Sequence, residues 1–293
     1  MKPPEDAPSS NPHYNPQQHA KPPSNKGANI AASVRARLLN LAKARGETFD
    51  FVLNRYASER LLYRLSQSSH ASHFVLKGAT LFAVWSQTPH RPTRDLDLLG
   101  AGDSAVASIE AAFREIVMTP VIADGLTFDA ATVSGETIKE EEEYEGVRIR
   151  LIATLMGARI PVQIDVGFGD VVTPSPEENT FPTLLDAPAP QLRSYPRETV
   201  IAEKFEAMVK LDYSNSRMKD FYDVWILGRE GEWEGSVLRR AVRATFERRQ
   251  TPLPQSLPLA LSDEFGNDAN KTEQWVVSTP CPQHPRFPFS SRN

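Results

Sequence analysis

Thr93-Arg94-Asp95-Leu96-Asp97-Leu98-Leu99-Gly100 alternates polar and apolar residues, the pattern of a half-buried strand, and it places Asp95 and Asp97 on one face of that strand. Just upstream, the apolar step Phe74-Val75-Leu76 runs into Lys77-Gly78-Ala79 and then Leu81, Phe82, Val84 and Trp85, which reads as a short strand, a glycine turn and a helix. Downstream, 104–117 reads as a helix with Ser104 as N-cap. Strands over 144–155 and 160–167 follow, joined at Gly157, and the second sets Asp165 in an alternating apolar run. Ahead of all this, Ala32, Val34, Leu38, Leu39, Leu41 and Ala42 fit a helix ending near Gly46. Phe49 through Leu65 keep helical spacing in a second helix. After Arg197 the sequence is helical again, over 199–211, 217–228 and 234–249. Strands in the middle with helices on both flanks predict an α+β fold.

The 293 residues suffice for one large domain or two ordinary ones. Prolines crowd the ends, seven in 1–26 and seven in 252–288, which argues against packed structure there. The single cysteine, Cys281, excludes a disulfide framework and a cysteine-based zinc site. Residues 1–26 hold no apolar leader and no apolar run approaches 18 residues, so the expectation is a soluble, cytoplasmic protein with no membrane contact. The net charge of −4 hides an uneven distribution. Residues 1–65 carry ten Lys/Arg against five Asp/Glu, residues 66–192 eight against eighteen, and residues 193–249 twelve against ten. An acidic centre between basic flanks suits a site that collects a divalent cation and receives a polyanion, although ordinary solvated faces give the same asymmetry.

Three carboxylates on strands, two of them at i and i+2, are what a two-metal phosphoryl-transfer site requires, with Asp165 as the third acid beside Asp95 and Asp97. A glycine turn at Gly78 adds free backbone N–H groups for a triphosphate. Each element taken singly is ordinary turn or capping chemistry; their order along the chain is the signal.

Leu76-Lys77-Gly78-Ala79-Thr80, Arg94-Asp95-Leu96-Asp97-Leu98, Ile164-Asp165-Val166-Gly167-Phe168-Gly169-Asp170, Tyr195-Pro196-Arg197-Glu198, Ala202-Glu203-Lys204 and Arg217-Met218-Lys219-Asp220-Phe221-Tyr222-Asp223 together resemble the AbiEii/AbiGii-type nucleotidyltransferase toxins of the DNA polymerase β-like superfamily. The resemblance spans roughly residues 30–275. It implies a polymerase β-like nucleotidyltransferase fold with a mixed β-sheet, plus a C-terminal helical domain. It also implies Mg²⁺ (or Mn²⁺) on Asp95, Asp97 and Asp165, an NTP held at Lys77, Gly78 and Ala79, and Lys204 and Lys219 at its phosphates. Asp220 joins Lys204 and the three acids as a catalytic residue. The implied activity is transfer of a nucleoside monophosphate to a hydroxyl, with the tRNA 3′ end as acceptor and a separately encoded antitoxin as partner. Family members place Gly or Ser after the turn glycine; Ala79 lacks the hydroxyl and keeps the backbone donors. Nucleotidylation of a protein, or a catalytically silent nucleotide- or partner-binding protein, are the alternatives. On residues alone, Arg217, Lys219, Asp220 and Asp223 read as salt bridges on a helix surface, with Lys219 and Asp223 in i,i+4 register.

The resulting organisation is a disordered arm over 1–28, a nucleotidyltransferase domain with two leading helices over 29–192, a helical domain over 193–275, and a disordered, truncated or frame-altered tail over 276–293. His70, His73 and His90 read as surface residues, since no metal-ligand spacing accompanies them. Glu140 to Glu143 read as a solvated strand edge or an antitoxin-facing patch. Arg239, Arg240, Arg243, Arg248 and Arg249 form a basic helix end able to hold an RNA backbone or merely to solubilise.

Overall fold

The structure is a computed structural model that describes residues 25–86, 91, 93–140 and 144–278. The arm over 1–24, His90, the glutamates at 141–143 and the tail from 279, with Cys281, lie outside the described residues.

Helix α1 (Asn25–Arg45) buries Val34, Leu38 and Ala42, spaced by four so that they share one face, and it starts inside the stretch assigned to the arm. Gly46, at φ +65°, supplies the left-handed residue that ends it. Helix α2 (Phe49–Gln67) starts on Thr48, whose hydroxyl accepts the Phe51 N–H at 3.3 Å. It is buried along most of its length, so its polar side chains need internal partners. The Arg64 guanidinium donates to both oxygens of Asp124 at 2.6 and 3.2 Å, and Tyr56 donates to the Asp124 carbonyl at 2.9 Å. Arg60 donates to Pro188 O at 2.7 Å, and Glu59 accepts the Leu184 N–H at 2.6 Å.

Next come β1 (Phe74–Lys77), a 3₁₀ turn at Gly78–Leu81, α3 (Phe82–Trp85), β2 (Leu96–Gly100) and α4 (Val106–Met118). Then follow β3 (Thr127–Glu140), β4 (Tyr144–Leu155), β5 (Ala158–Phe168), β6 (Glu177–Thr180) and β7 (Gln191–Ser194). Among the described residues these form one mixed sheet in the order β3-β4-β5-β2-β1-β7-β6, with β2–β5 and β1–β7 parallel and the other pairs antiparallel. Leu96 and Leu98, Val147 to Leu155 by twos, and Ile160 to Val166 by twos are buried on one face of it.

The α+β expectation with a mixed sheet holds. Differences from the sequence reading are local. Ser104 is not the cap of α4: Ala105 occupies that position, and Asp103 accepts its N–H at 3.0 Å. The long β3 is an edge strand that periodicity did not show, and Glu140 is its last residue. Asp95 stands just ahead of β2 instead of in it.

Helices α5 (Arg197–Leu211), α6 (Met218–Glu230), α7 (Gly235–Arg248), α8 (Asp263–Asn267) and α9 (Ala269–Ser278) complete the chain. Val200 and Ile201 of α5 belong to the main core, whereas Met208, Met218, Phe221, Tyr222, Phe265 and Trp275 form a second one. Val276 and Val277, assigned to the tail by sequence, continue α9. No helix among the described residues is long and apolar enough to cross a membrane.

Trp275 is fully buried against Tyr222, with ring centroids 5.9 Å apart. Trp275→Ala is expected to cost about 3–5 kcal/mol, read as a lowered midpoint in urea unfolding. Burial pushes the Glu59 carboxyl from the ordinary 4.5 up to about 7, against the opposing Leu184 N–H and Arg60. The fold therefore keeps a proton that the unfolded chain has released, and stability falls as pH rises between those values. Glu59→Gln removes this dependence, so the wild-type Tm should drop more steeply than the variant's from pH 5 to 8, a difference of up to about 3 kcal/mol. Parallel profiles would contradict the assignment.

Candidate active site

Register sets the site. Lys77 of β1 pairs with Asp97 of β2, Asp97 with Asp165 of β5, and Asp165 with Arg148 of β4. Directly opposed residues share a face, so a cation, two carboxylates and a second cation cross four strands in one row. Arg148 grips Asp165 through both oxygens at 2.7 Å. Gly78 sits at φ +71°, and a Cβ there would fall 2.0 Å from Asp97 Oδ2. Only glycine lets the turn pass this close to the carboxylate. Thr80 donates to the Asp95 carbonyl at 3.1 Å and ties that residue to the same turn.

A cleft of about 460 Å³ opens over this row. Lys77, Gly78, Ala79, Asp95, Asp97, Lys204 and Asp220 line it, so seven of the residues anticipated from sequence come together. Asp165 is not on its wall; it stands next to Asp97 in the sheet, held by Arg148. Lys219 faces a neighbouring cavity. Val200, Glu203, Lys204 and Ala207 of α5 line the cleft at helical spacing, one face of that helix. Lys204 bonds to Asp220 and lies 3.0 Å from Asp223. Burial alone would lower its pKa, but the two carboxylates outweigh that and raise it, so the ammonium stays charged. Arg217 reaches Asp220 at 2.8 Å.

Sequence reasoning missed five contributors as site residues. Arg91 clasps Asp223 with two bonds of 2.7 Å. Asp170 takes Lys77 at 3.0 Å on one oxygen and Arg249 at 3.1 Å on the other. Burial would raise the Asp170 carboxyl, yet Lys77 and Arg249 hold it below the ordinary range. Glu203 beside it is pushed up, chiefly by burial and further by Asp170. Arg249 also meets Glu206 at 2.9 Å. Asp170, Glu203 and Asp223 lay in the quoted motifs; Arg91 carried no local signal, and Arg249 read only as part of a basic helix end. Arg249 is drawn inward, whereas Arg239, Arg240, Arg243 and Arg248 of the basic helix end stay exposed, Arg248 donating to Gly169 O. Arg94 turns away to Asp50 at 3.2 Å, and His70 meets Glu115 at 2.8 Å.

Among the described residues no cluster of three or more potential metal ligands is preformed. Two carboxylates that share a cleft wall still fit a hard cation that completes its shell with substrate phosphates, the usual Mg²⁺ arrangement.

Two crystal structures from H. pylori are similar, a proposed nucleotidyltransferase and JHP933. Both are 12% identical with a TM-score of 0.40; the first alignment covers 71% of this chain and 84% of the other, the second 76% and 88%. A comparison with curated proteins gives no match. The family of nucleotidyl transferase AbiEii toxins, of type IV toxin–antitoxin systems, matches residues 60–278. That match takes in the glycine turn, the Asp95–Asp97 strand, the Asp165 strand and the Lys204 and Asp220 helices, and the chain belongs to this family of nucleotidyltransferases.

Proposed function

We propose that the protein is a toxin that moves a nucleoside monophosphate from an NTP to the 3′-hydroxyl of a tRNA in the cytoplasm, with Mg²⁺ or Mn²⁺, and that a separately encoded antitoxin opposes it. The observation that carries this reading is the juxtaposition of Asp95 and Asp97 with the Gly78 turn and Lys204 in one cleft. Asp95 and Asp97 would hold the divalent ion, with Asp165 in reserve beside them; when bound, it neutralises phosphate charge and polarises the reacting phosphoryl group. Backbone N–H groups of residues 78–80 cradle phosphate oxygens. Lys204, kept charged and pinned by Asp220 and Asp223, presents a fixed positive charge to the triphosphate. The acceptor oxygen bonds to the α-phosphorus, the α–β bridge breaks and pyrophosphate leaves. The hydroxyl proton passes to solvent water, because Asp165 has both oxygens gripped by Arg148 and acts through the charge row beside Asp97. Lys219, on the neighbouring cavity, contacts the nucleotide from that side.

Incubation of the protein with each α-labelled NTP, Mg²⁺ and total cellular RNA or protein should put label in a tRNA-sized band. Asp97→Asn should reduce it by about 10²–10³-fold or more. Label in protein would favour protein nucleotidylation, and no label with any NTP would favour a silent member. Gly78→Ala forces a side chain into the Asp97 carboxylate at positive φ. It should cost about 1–2 kcal/mol of stability and abolish transfer while circular dichroism still reports a folded chain.

A further inference from the structure

A second cavity, of about 830 Å³, adjoins the cleft. Ala79, Arg91, Thr93 and Asp95 line both, so one molecule reaching Asp95 extends into the larger space. Its far wall is α2 and segment 181–184. Phe51, Phe181 and Leu184 give that wall apolar area, and Arg55 and Arg94 lie 5.7 and 6.0 Å from the Phe51 ring centre. Volume, aromatic lining and a few polar groups are what a small heteroaromatic ligand needs.

The polar groups of α2 at this cavity are incompletely bonded. Asn54, Ser58 and Glu59 line it and are at least nine-tenths buried. Among the described residues Asn54 Oδ1, Ser58 Oγ and Glu59 Oε1 each have no hydrogen-bond partner. Asn54 spends its amide donor on Pro161 O at 2.8 Å, which fixes the carbonyl end as an acceptor. Glu59 spends Oε2 on the Leu184 N–H, while Oε1 lies 3.1 Å from Arg60 Nε without hydrogen-bond geometry. Buried polar atoms are seldom left unbonded unless a ligand completes them.

We propose that this cavity binds a nucleobase bearing an exocyclic amine, read by the Asn54 and Glu59 acceptors and the Ser58 hydroxyl. The inference rests on the nucleotidyltransferase reading and adds the base to it. At pH 8, above the value of about 7 to which burial pushes Glu59, its carboxylate is an acceptor, and two acceptors with one hydroxyl complement an edge that offers amine and ring N–H donors or a ring nitrogen, as in adenine, cytosine or guanine. Uracil sets a carbonyl on each side of its single N–H, so acceptors would oppose carbonyls and stay unpaired. The base belongs either to the NTP or to the terminal nucleotide of the RNA acceptor.

Binding of ATP, CTP, GTP, UTP and tripolyphosphate to the full chain with Mg²⁺ at pH 8, and of short RNAs ending in each base, tests this. At least one amine-bearing nucleotide should bind tenfold or more tightly than UTP. Ser58→Ala, which breaks no hydrogen bond among the described residues, and Asn54→Ala should each compress that ratio to about threefold or less and leave tripolyphosphate affinity unchanged. The same compression confined to RNA ends assigns the base to the acceptor. A wild type that binds all bases alike, or variants that keep its preference, overturns the inference alone. A wild type that binds neither NTP nor tripolyphosphate overturns the nucleotidyl-transfer reading with it.

Discussion

Two carboxylates placed side by side at the centre of a sheet repel each other, and the arrangement around Asp97 and Asp165 is what makes that tolerable. Lys77 closes the row on one side and Arg148 on the other. The row exists only in one register, because a slip of β2 by one residue would turn Asp97 into the core and Leu96 and Leu98 out of it. Apolar burial therefore enforces a placement that electrostatics alone would oppose. Gly78 is bound to the same constraint: the carboxylate fills the space of a side chain, so the turn, the strand pair and the acid form one unit. Lys77 is in turn held by Asp170, which Arg249 also grips, so the sheet's charge row is anchored in the helical half of the chain.

That anchoring recurs in the pairings of Arg91 with Asp223 and Lys204 with Asp220. Asp223 is fully buried and shared by Arg91 and Lys204, one cation from the segment before β2 and one from α5. A buried charge with two partners loses much when one is removed, because the other charges remain desolvated. The cleft is consequently rigid for the reason that makes it costly, and its cations are oriented before any ligand arrives.

Much of this was legible in the sequence because it is local. The helical spacing of Val34, Leu38 and Ala42, the alternation in β2 and β5, and the face of α5 carrying Lys204 follow from backbone periods. β3 escaped because a bulge between Asp129 and Ser134 breaks its alternation, and β6 and β7 because EENT and QLRS are short and polar. Arg91 and Arg249 escaped for another reason. Their partners lie 132 and 79 residues away, a separation on which no period bears. Lys219 and Asp220 were assigned to one site, yet neighbours on a helix point about 100° apart, and the structure divides them between two cavities.

Charge balance in the cleft bears on the proposed divalent ion. Among the described residues five cations line it, Lys77, Arg91, Lys204, Arg217 and Arg249, against five carboxyl groups, Asp95, Asp97, Asp170, Glu203 and Asp220. Each of those cations already faces an acid within 3.7 Å. A triphosphate entering such a site finds little uncompensated positive charge, and the Asp95 and Asp97 carboxyl groups stand on its wall. The deficit is removed when a divalent ion adds positive charge at those two carboxylates, or in smaller measure when Glu203 keeps its proton. The wall chemistry thus makes metal and nucleotide interdependent: the acids that would hold the ion are the same ones that bar the phosphate without it.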